Sequence, residues 1–213
     1  MSDLDEASRY DPVRVLITGF GPFPGVPRNI SGEIAEAWAA AQAGAAPDRM
    51  DVLPFVLPTE WQRAPRAIAD CIRSMQPHIA LHLGVSARAE GIVLERTAYN
   101  ACDGRVDEAG HAQRAGCLDV DAPERIETRA PVSELRAALV TDGLRATVSD
   151  DPGRYLCNAV YHASLTCSQR TGVPHHALFI HLPVTLADVG MAEADVRAAL
   201  SLIAGVLREQ LPD

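Results

Sequence analysis

Three residues carry side chains that together could break an acyl bond: Glu95, Cys157 and His181. A cysteine supplies a nucleophile, a histidine can exchange protons with it, and a carboxylate can hold the imidazole in one tautomer. The sequence around Cys157, SDDPGRYLCNAVY, predicts a helix that begins just before this residue. Unpaired N–H groups and the helix dipole at such a position favour a thiolate and could bind a developing oxyanion. The order Glu, Cys, His is therefore compatible with acyl transfer through a covalent intermediate.

Each of these residues also has a purely structural interpretation. A lone cysteine is commonly a small buried hydrophobe, and His181, at the end of the strand-like segment ALFIHLP, could be a core histidine with satisfied hydrogen bonds. Glu95 and Arg96 lie inside the apolar segment GIVLERTAYN, where charges are rare unless they are paired. An internal pair between Glu95 and Arg96 would explain both without any catalysis.

The composition narrows the possible chemistry. All 19 basic residues are arginine, which excludes Schiff-base chemistry, a Walker-type phosphate lysine and a Ser–Lys dyad. The five cysteines are odd in number and include no C-x-x-C pair, so we expect neither a disulfide framework nor a structural zinc site. A net charge of −9 disfavours nucleic-acid binding. We expect no metal and no cofactor.

Other polar and glycine-containing segments give weaker signals. The segment GFGPFP follows the first predicted strand, but Pro24 stands where a dinucleotide-binding turn needs a small residue. Phe20 and Phe23 in this segment are either two core residues of a tight turn or the walls of an apolar slot at the ligand-binding edge of the sheet. Within the long irregular stretch 100–130, acidic residues such as Asp107 are interpreted as solvated, and His176 is interpreted as a surface residue.

Alternating apolar and amphipathic segments predict the framework that positions these residues. We predict strands at 13–18, 51–57, 77–85, 91–99, 145–148 and 176–183, and helices at 31–41, 59–75, 133–142, 154–170 and 193–210. This alternation predicts an α/β fold, a single-domain three-layer α/β/α sandwich with a mostly parallel twisted central sheet. Residues 1–12 are predicted to be a flexible N-terminal extension. Since no segment resembles a signal peptide or a membrane span, we expect a cytoplasmic protein without membrane contact.

Four blocks of sequence resemble the pyroglutamyl peptidase I (pyrrolidone carboxyl peptidase) family of cysteine peptidases. VLITGFGPFPG resembles the family's first strand with G-F-x-P-F-G-G, and LERTAYN resembles its E-R-x-A-x-N block. YLCNAVYHASL and FIHLP resemble the blocks around the family's catalytic cysteine and histidine. The resemblance implies one family-like domain over residues 1–213 that hydrolyses N-terminal pyroglutamate from peptides through a thioester. It also implies a cytosolic homo-oligomer, a dimer or a tetramer.

The resemblance further implies a role for ten residues of this sequence. Glu95, Cys157 and His181 occupy the catalytic triad positions, and Arg105 falls on an arginine near the oxyanion. The implied substrate-binding residues are Phe20 and Phe23 beside the pyrrolidone ring, Asn29 in the same loop, Val106 after the arginine, and Tyr155 and Leu156, whose backbone would bind the lactam.

Several positions depart from the family pattern, among them Pro24, Phe55 and Val85 near the implied pocket and Val184 after the histidine block. They leave the triad unchanged but bear on the shape of the pocket. Two alternatives therefore accompany the main hypothesis. One is a diverged relative that cleaves another N-acyl or lactam-capped amide, and the other is a non-catalytic binder that retains the apolar slot.

Overall fold

The described part of the chain, residues 12–23, 25–43 and 50–212 of a computed structural model, forms a six-stranded sheet between two layers of helices. The strands of this sheet are β1 (Val13–Phe20), β2 (Met50–Leu57), β3 (Ile79–Ser86), β4 (Ile92–Glu95), β7 (Ala146–Ser149) and β8 (His176–Pro183). Two short strands, β5 (Thr97–Tyr99) and β6 (Arg125–Glu127), pair outside it. The helices are α1 (Ile30–Gln42), α2 (Ala64–Met75), α3 (Val132–Thr141), α4 (Leu156–Thr171) and α5 (Glu193–Glu209), with a 3-10 turn at Ala187–Val189.

The sheet has the strand order β2-β1-β3-β8-β4-β7, and only the β8–β4 pair is antiparallel. The central strands read as nearly continuous apolar runs, as expected for strands covered on both faces. All eight residues of β8, HALFIHLP, are buried. The mostly parallel sheet predicted from the sequence is confirmed.

Side-chain alternation along the central strands divides the core into two parts. Leu81 and Ile180 point to one face, where α1, α3 and α5 pack through residues such as Trp38. Ala80 and Phe179 point to the other face, which α2 and α4 cover. This period of two is the property of a strand buried on both sides, and it confirms the three-layer arrangement.

Two predicted elements differ from the observed ones in a way that affects the site. The predicted strand at 91–99 is two strands, because β4 belongs to the main sheet while β5 pairs with β6. The chain changes partner at Arg96, whose N–H donates to Ser149 O and whose guanidinium pairs with Asp150 at 2.8 Å. The helix predicted at 59–75 begins only at Ala64, with Pro65 in its first turn, where its missing N–H costs nothing.

The predicted N-terminal extension and Pro24 lie largely outside the described residues. Of residues 1–12, only Pro12 is described, directly before β1. Among the helices that the structure describes, none is long and apolar enough to cross a membrane.

Candidate active site

The candidate nucleophile lies in the first turn of α4, at the edge of a cavity of about 630 Å³. Cys157 is the second residue of this helix. The N-cap residue Tyr155 is extended and its side chain makes no capping hydrogen bond. The first N–H groups of an α-helix have no partner within the helix, so this turn keeps donors for an anion beside the sulfur. Tyr155, Leu156 and Cys157 all line the cavity.

The sheet brings the candidate base and its carboxylate together. In the antiparallel β4–β8 pair, Glu95 lies opposite Phe179, which is two residues before His181. Glu95 and His181 are therefore diagonal neighbours on one face of the sheet. Their side chains meet, with 2.7 Å between Glu95 Oε1 and His181 Nδ1. This contact fixes the ring so that its other nitrogen is free for the nucleophile.

Helix α4 lies across this face and presents a row of functional side chains to it. Cys157, Tyr161 and Ser164 follow the i, i+4, i+7 spacing of one helix face. The Tyr161 hydroxyl donates to the carbonyl of Glu95 at 2.8 Å, which ties the carboxylate-bearing strand to the nucleophile-bearing helix. These contacts join β4, β8 and α4 around the three candidate residues.

The electrostatics of the pair favour a charged imidazole. Burial by itself would lower the pKa of His181, but the charge and hydrogen bond of Cys157, together with those of Glu95, outweigh it and raise this pKa to about 9. A protonated His181 at neutral pH places a positive charge and a proton donor beside Cys157. The internal Glu95–Arg96 pair considered from sequence does not form, because Glu95 binds His181 and Arg96 binds Asp150.

Gly84 is a functional position that sequence reasoning missed. It lies opposite His181 in the β3–β8 register. A Cβ atom at Gly84 would lie 2.9 Å from Cys157 Sγ and 2.8 Å from Phe179 Cζ, so only glycine lets the sulfur approach the sheet here. A glycine inside an apolar strand signals such a close approach, and this signal was present in IALHLGVS.

The predicted apolar slot lies at the β1 end of the cavity. Phe20 is buried at the end of β1, Phe23 is half-buried in the following turn, and both line the cavity. Asn29 also lines it, although its amide is used within the protein. The Asn29 oxygen accepts from the N–H and hydroxyl of Ser31 at 3.2 and 2.8 Å, and its Nδ2 donates to Gly21 O at 3.0 Å. Asn29 therefore caps α1 and holds the loop that carries the two phenylalanines.

Of the predicted pair Arg105 and Val106, the structure brings only Arg105 to the cavity. The Arg105 guanidinium lies 4.6 Å from the centroid of the Tyr155 ring and pairs with Asp103 at 2.7 Å. The side chain of Val106 is not among the described residues that line the cavity, and Val106 is 58% exposed. Its carbonyl instead accepts a hydrogen bond from the Tyr155 hydroxyl at 3.0 Å.

The positions that depart from the family pattern differ in whether they line the cavity. Val85 lines the cavity. Phe55 lies on the edge strand β2, is 37% exposed, and does not belong to the described lining. Val184, which replaces an aromatic residue of the family pattern, also lines the cavity. Val85 and Val184 are therefore departures that can alter the shape of the pocket.

Two interpretations of single residues are wrong. Asp107 is buried rather than solvated, because its carboxylate accepts from the N–H groups of Trp61 and His111 at 2.9 and 2.8 Å. Burial would raise the pKa of Asp107, but these backbone donors keep it below its usual value. His176 is buried at the start of β8 rather than on the surface, since this strand is covered on both faces.

A second buried histidine lies on the same face of the sheet as the triad. His82 on β3 is hydrogen-bonded through both ring nitrogens, to the Thr18 and Ser164 hydroxyls, at 2.9 Å each. Burial lowers its pKa to about 3, so the ring is neutral. Within the described ranges, no three His, Cys, Asp or Glu side chains are grouped so that they could hold a metal ion.

Comparison with known proteins adds an independent line of observation. The model of the pyroglutamyl peptidase family matches residues 13–205. The pyrrolidone-carboxylate peptidase of Thermococcus litoralis is 35% identical over 81% of this chain and 77% of its own length. The human pyroglutamyl-peptidase 1 is 30% identical over 79% of this chain and 78% of its own.

Solved structures give the same similarity at the level of the fold. A crystal structure of the pyrrolidone carboxyl peptidase of Fervidobacterium islandicum superposes with a TM-score of 0.83 at 30% identity, covering 92% of this chain and 99% of that one. A mutant pyrrolidone carboxyl peptidase from Pyrococcus furiosus superposes with a TM-score of 0.84 at 28% identity, covering 93% of this chain and 100% of that one. The similarity therefore extends over nearly the whole described chain.

Proposed function

The chain belongs to the pyroglutamyl peptidase family and is a cysteine omega-peptidase that removes N-terminal pyroglutamate from peptides, and we propose that Cys157, His181 and Glu95 perform the cleavage. The observation that carries this assignment is the 2.7 Å contact between Glu95 and His181 beside the sulfur at the start of α4. It provides a nucleophile, a base and an orienting group within one cavity.

The proposed reaction has two steps. The Cys157 thiolate attacks the carbonyl carbon of the pyroglutamyl residue, and His181 gives its proton to the leaving nitrogen as the C–N bond breaks. The peptide leaves with a free amine, and the pyroglutamyl group remains on sulfur as a thioester. His181 then takes a proton from water, whose oxygen attacks the thioester and releases pyroglutamate.

Two sets of donors would stabilise the negative oxygen formed in each step. The first is the set of N–H groups in the first turn of α4, which has no side-chain cap. The second is the guanidinium of Arg105 at the cavity wall. Donors that are already in place act on charge that develops only in the transition state, and they therefore raise kcat.

The slot formed by Phe20 and Phe23 suits a pyroglutamyl ring. This ring is a neutral lactam without a free amine, so an apolar surface and backbone hydrogen bonds recognise it better than charge does. The backbone of Tyr155 and Leu156 is our candidate partner for the lactam amide. A site that hydrogen-bonds this amide should reject proline, whose ring lacks the carbonyl.

We also propose that residues 1–213 form one such domain, and that the protein works in the cytoplasm as a homo-oligomer, a dimer or a tetramer. All five cysteines are free, as is usual in a reducing compartment. The edge strand β2 exposes Leu53, Phe55 and Val56, a surface that a second copy could cover. Light scattering of the purified protein tests the oligomer, and cell fractionation tests the location.

Release of a chromophore from a pyroglutamyl amide tests the assignment of the triad. We expect the wild-type protein to be active and Cys157→Ser to lose activity. The control is Cys117→Ser, since Cys117 is exposed and is not among the residues that line the cavity in the described chain. A well-folded but inactive wild-type protein, or an active Cys157→Ser variant, would contradict the assignment. Prolyl and N-acyl amides in the same assay test the diverged-relative alternative.

A further inference from the structure

A single buried tryptophan holds the chain segment that carries Arg105. Trp61 lies in the turn before α2 and is 5% exposed. Its indole N–H donates to the carbonyl of Arg105 at 2.7 Å. Its backbone N–H donates to Asp107 Oδ2 at 2.9 Å. These two bonds fix the segment on both sides of Val106.

Trp61 also contacts Tyr155, the N-cap residue of the helix α4 that carries Cys157. The Trp61 and Tyr155 rings meet edge to face, with their centroids 5.2 Å apart. Tyr155 returns a hydrogen bond to Val106 O and lies under the Arg105 guanidinium, and it precedes Cys157 by two residues. Trp61, Tyr155 and residues 105–107 thus form a closed set of contacts next to the nucleophile.

The contacts of Arg105 itself would not hold its side chain firmly. The Arg105 side chain is 63% exposed, and its ion pair with Asp103 is a surface pair of a kind that contributes little. The hydrogen bond from the Trp61 indole N–H to the Arg105 carbonyl should contribute more. Its donor is largely removed from water, so leaving it unpaired would be costly. The Arg105 N–H donates to the nearby Asp103 Oδ1 at 3.1 Å, whereas Trp61 holds the Arg105 carbonyl from a different part of the fold.

We propose that Trp61 is a positioning residue for the cleavage reaction. By holding residues 105 and 107, it keeps the Arg105 guanidinium over Tyr155, at the wall of the cavity where the oxyanion forms. This inference rests on the proposed function, in which Arg105 stabilises that oxyanion. Trp61 acts only through Arg105 and touches no reacting atom.

Trp61 also belongs to the core under α2 and α4, so its packing must be separated from its hydrogen bond. Trp61→Phe keeps an aromatic ring in the core and the backbone bond to Asp107, but removes the indole donor. Trp38→Phe is the matched control. The Trp38 indole donates to Ser201 Oγ at 2.9 Å in the opposite core, so this variant also loses one indole hydrogen bond.

The experiment measures kcat and KM on a pyroglutamyl amide for Trp61→Phe, Trp38→Phe, Arg105→Ala and the double variant Trp61→Phe/Arg105→Ala. We expect Trp61→Phe to lower kcat about 3- to 10-fold with little change in KM, because the lost interaction acts only in the transition state. Trp38→Phe should stay within about twofold of wild type. In the Arg105→Ala background, adding Trp61→Phe should cause no further loss, since both changes act through one guanidinium.

Two outcomes would overturn the inference. One is a Trp61→Phe variant with wild-type kcat, and the other is a double variant whose losses multiply, which would assign the effect to packing. If Trp61→Phe does not fold, Trp61→Tyr provides the test, because its larger aromatic side chain fills more of the same space while the indole donor to the Arg105 carbonyl is still removed. Its loss in kcat should likewise vanish in the Arg105→Ala background, and a multiplying loss would overturn the inference. Failure of the proposed function would look different, since the wild type itself would be inactive.

Discussion

Two buried histidines on neighbouring strands are held in opposite charge states in this fold. His82 on β3 and His181 on β8 lie on one face of the sheet and are 0% and 6% exposed. Both contact Phe179, with ring centroids 6.4 and 4.9 Å from it. Yet burial lowers the pKa of His82 to about 3, whereas the pKa of His181 rises to about 9 in spite of burial.

The difference lies in the partners rather than in the depth of burial. The two hydroxyls that bind His82 carry no charge, so nothing offsets the cost of removing an imidazolium from water. His181 lies between Cys157 and the Glu95 carboxylate, whose charges favour the imidazolium. The register of the sheet sets which groups face each ring, and it thereby decides which histidine is held neutral and which is protonated.

Glu95→Gln should have the largest effect on this contrast. It keeps the shape of the side chain but removes the charge that favours the His181 imidazolium, and an amide can hold the ring in the wrong tautomer. We expect kcat on a pyroglutamyl amide to fall about 10²- to 10⁴-fold, the range of such changes in catalytic triads.

The control for this variant is Glu60→Gln, which removes a carboxylate from a surface pair with Arg63. Its kcat should match that of the wild type. If Glu95→Gln retained wild-type kcat, the carboxylate would have no part in catalysis. The charge of Glu95 would then not explain any reactivity of His181.

Gly84→Ala should have the second-largest effect on catalysis. Gly84 lies two residues after His82 on β3 and opposite His181 on β8. The added Cβ would press on Cys157 Sγ and the Phe179 ring at 2.9 and 2.8 Å. We expect about 1–3 kcal/mol of lost stability, the usual cost of overpacking. We also expect a roughly 10- to 100-fold fall in kcat, since a displacement near 1 Å can cost that much.

Gly205→Ala provides the matched control for the added methyl group. A Cβ there meets no atom within 4 Å, and the residue lies within α5. Kinetics should be unchanged, and thermal unfolding should show a gain of up to about 1 kcal/mol from helix propensity. Equal effects of the two substitutions would mean that Gly84 has no special relation to the sulfur.

Much of this arrangement could be predicted from sequence, and the missing part has a physical reason. Apolar runs and helical periodicity predict β1, β3, β8 and the helix that carries Cys157, because these signals are local. The segments PHIALHLGV and ALFIHLP look alike, and nothing within them tells which histidine meets a carboxylate. That contact depends on β4 entering the sheet antiparallel beside β8, a long-range pairing that the single predicted strand at 91–99 did not contain.

The long stretch 100–130 shows the same limit. Its polar composition predicts a solvated loop, and most of it is irregular. Asp107 nevertheless turns inward, because the N–H groups of Trp61 and His111 satisfy its carboxylate. A buried acid with backbone donors leaves no pattern in the sequence, since its partners come from distant segments.

The pH dependence of kcat/KM should report the pKa at which His181 loses its proton. Because the pKa of His181 is raised to about 9, its proton is present at neutral pH and is lost as the pH rises through that value. Activity should therefore fall on the alkaline side with an apparent pKa near 9, about tenfold for each further pH unit. In Glu95→Gln the alkaline limb should move to lower pH. An alkaline limb at the same pH in both proteins would show that Glu95 does not hold this proton.

His82→Gln should have the smallest effect on catalysis and a visible effect on acid stability. Loss of the His82 hydrogen bonds to Thr18 and Ser164 should lower the free energy of unfolding by about 1–3 kcal/mol at pH 7. The kcat should stay within about twofold of wild type, because His82 lies outside the reacting groups. The pKa of His82 is about 3 in the fold, below its ordinary 6.5, so protons bind preferentially to the unfolded chain. The wild type therefore keeps this contribution above pH 6.5 and loses it as the pH falls towards 3.

Urea unfolding at pH 7 and pH 4.5 measures that loss. His176, whose pKa is lowered to about 4, contributes in the same direction in both proteins. The difference between wild type and His82→Gln therefore isolates the buried ring of His82. We expect the variant to lose less stability than the wild type on acidification. An equal loss of stability in wild type and His82→Gln would mean that the fold does not hold His82 neutral. The proposed difference in charge state between His82 and His181 would then be wrong.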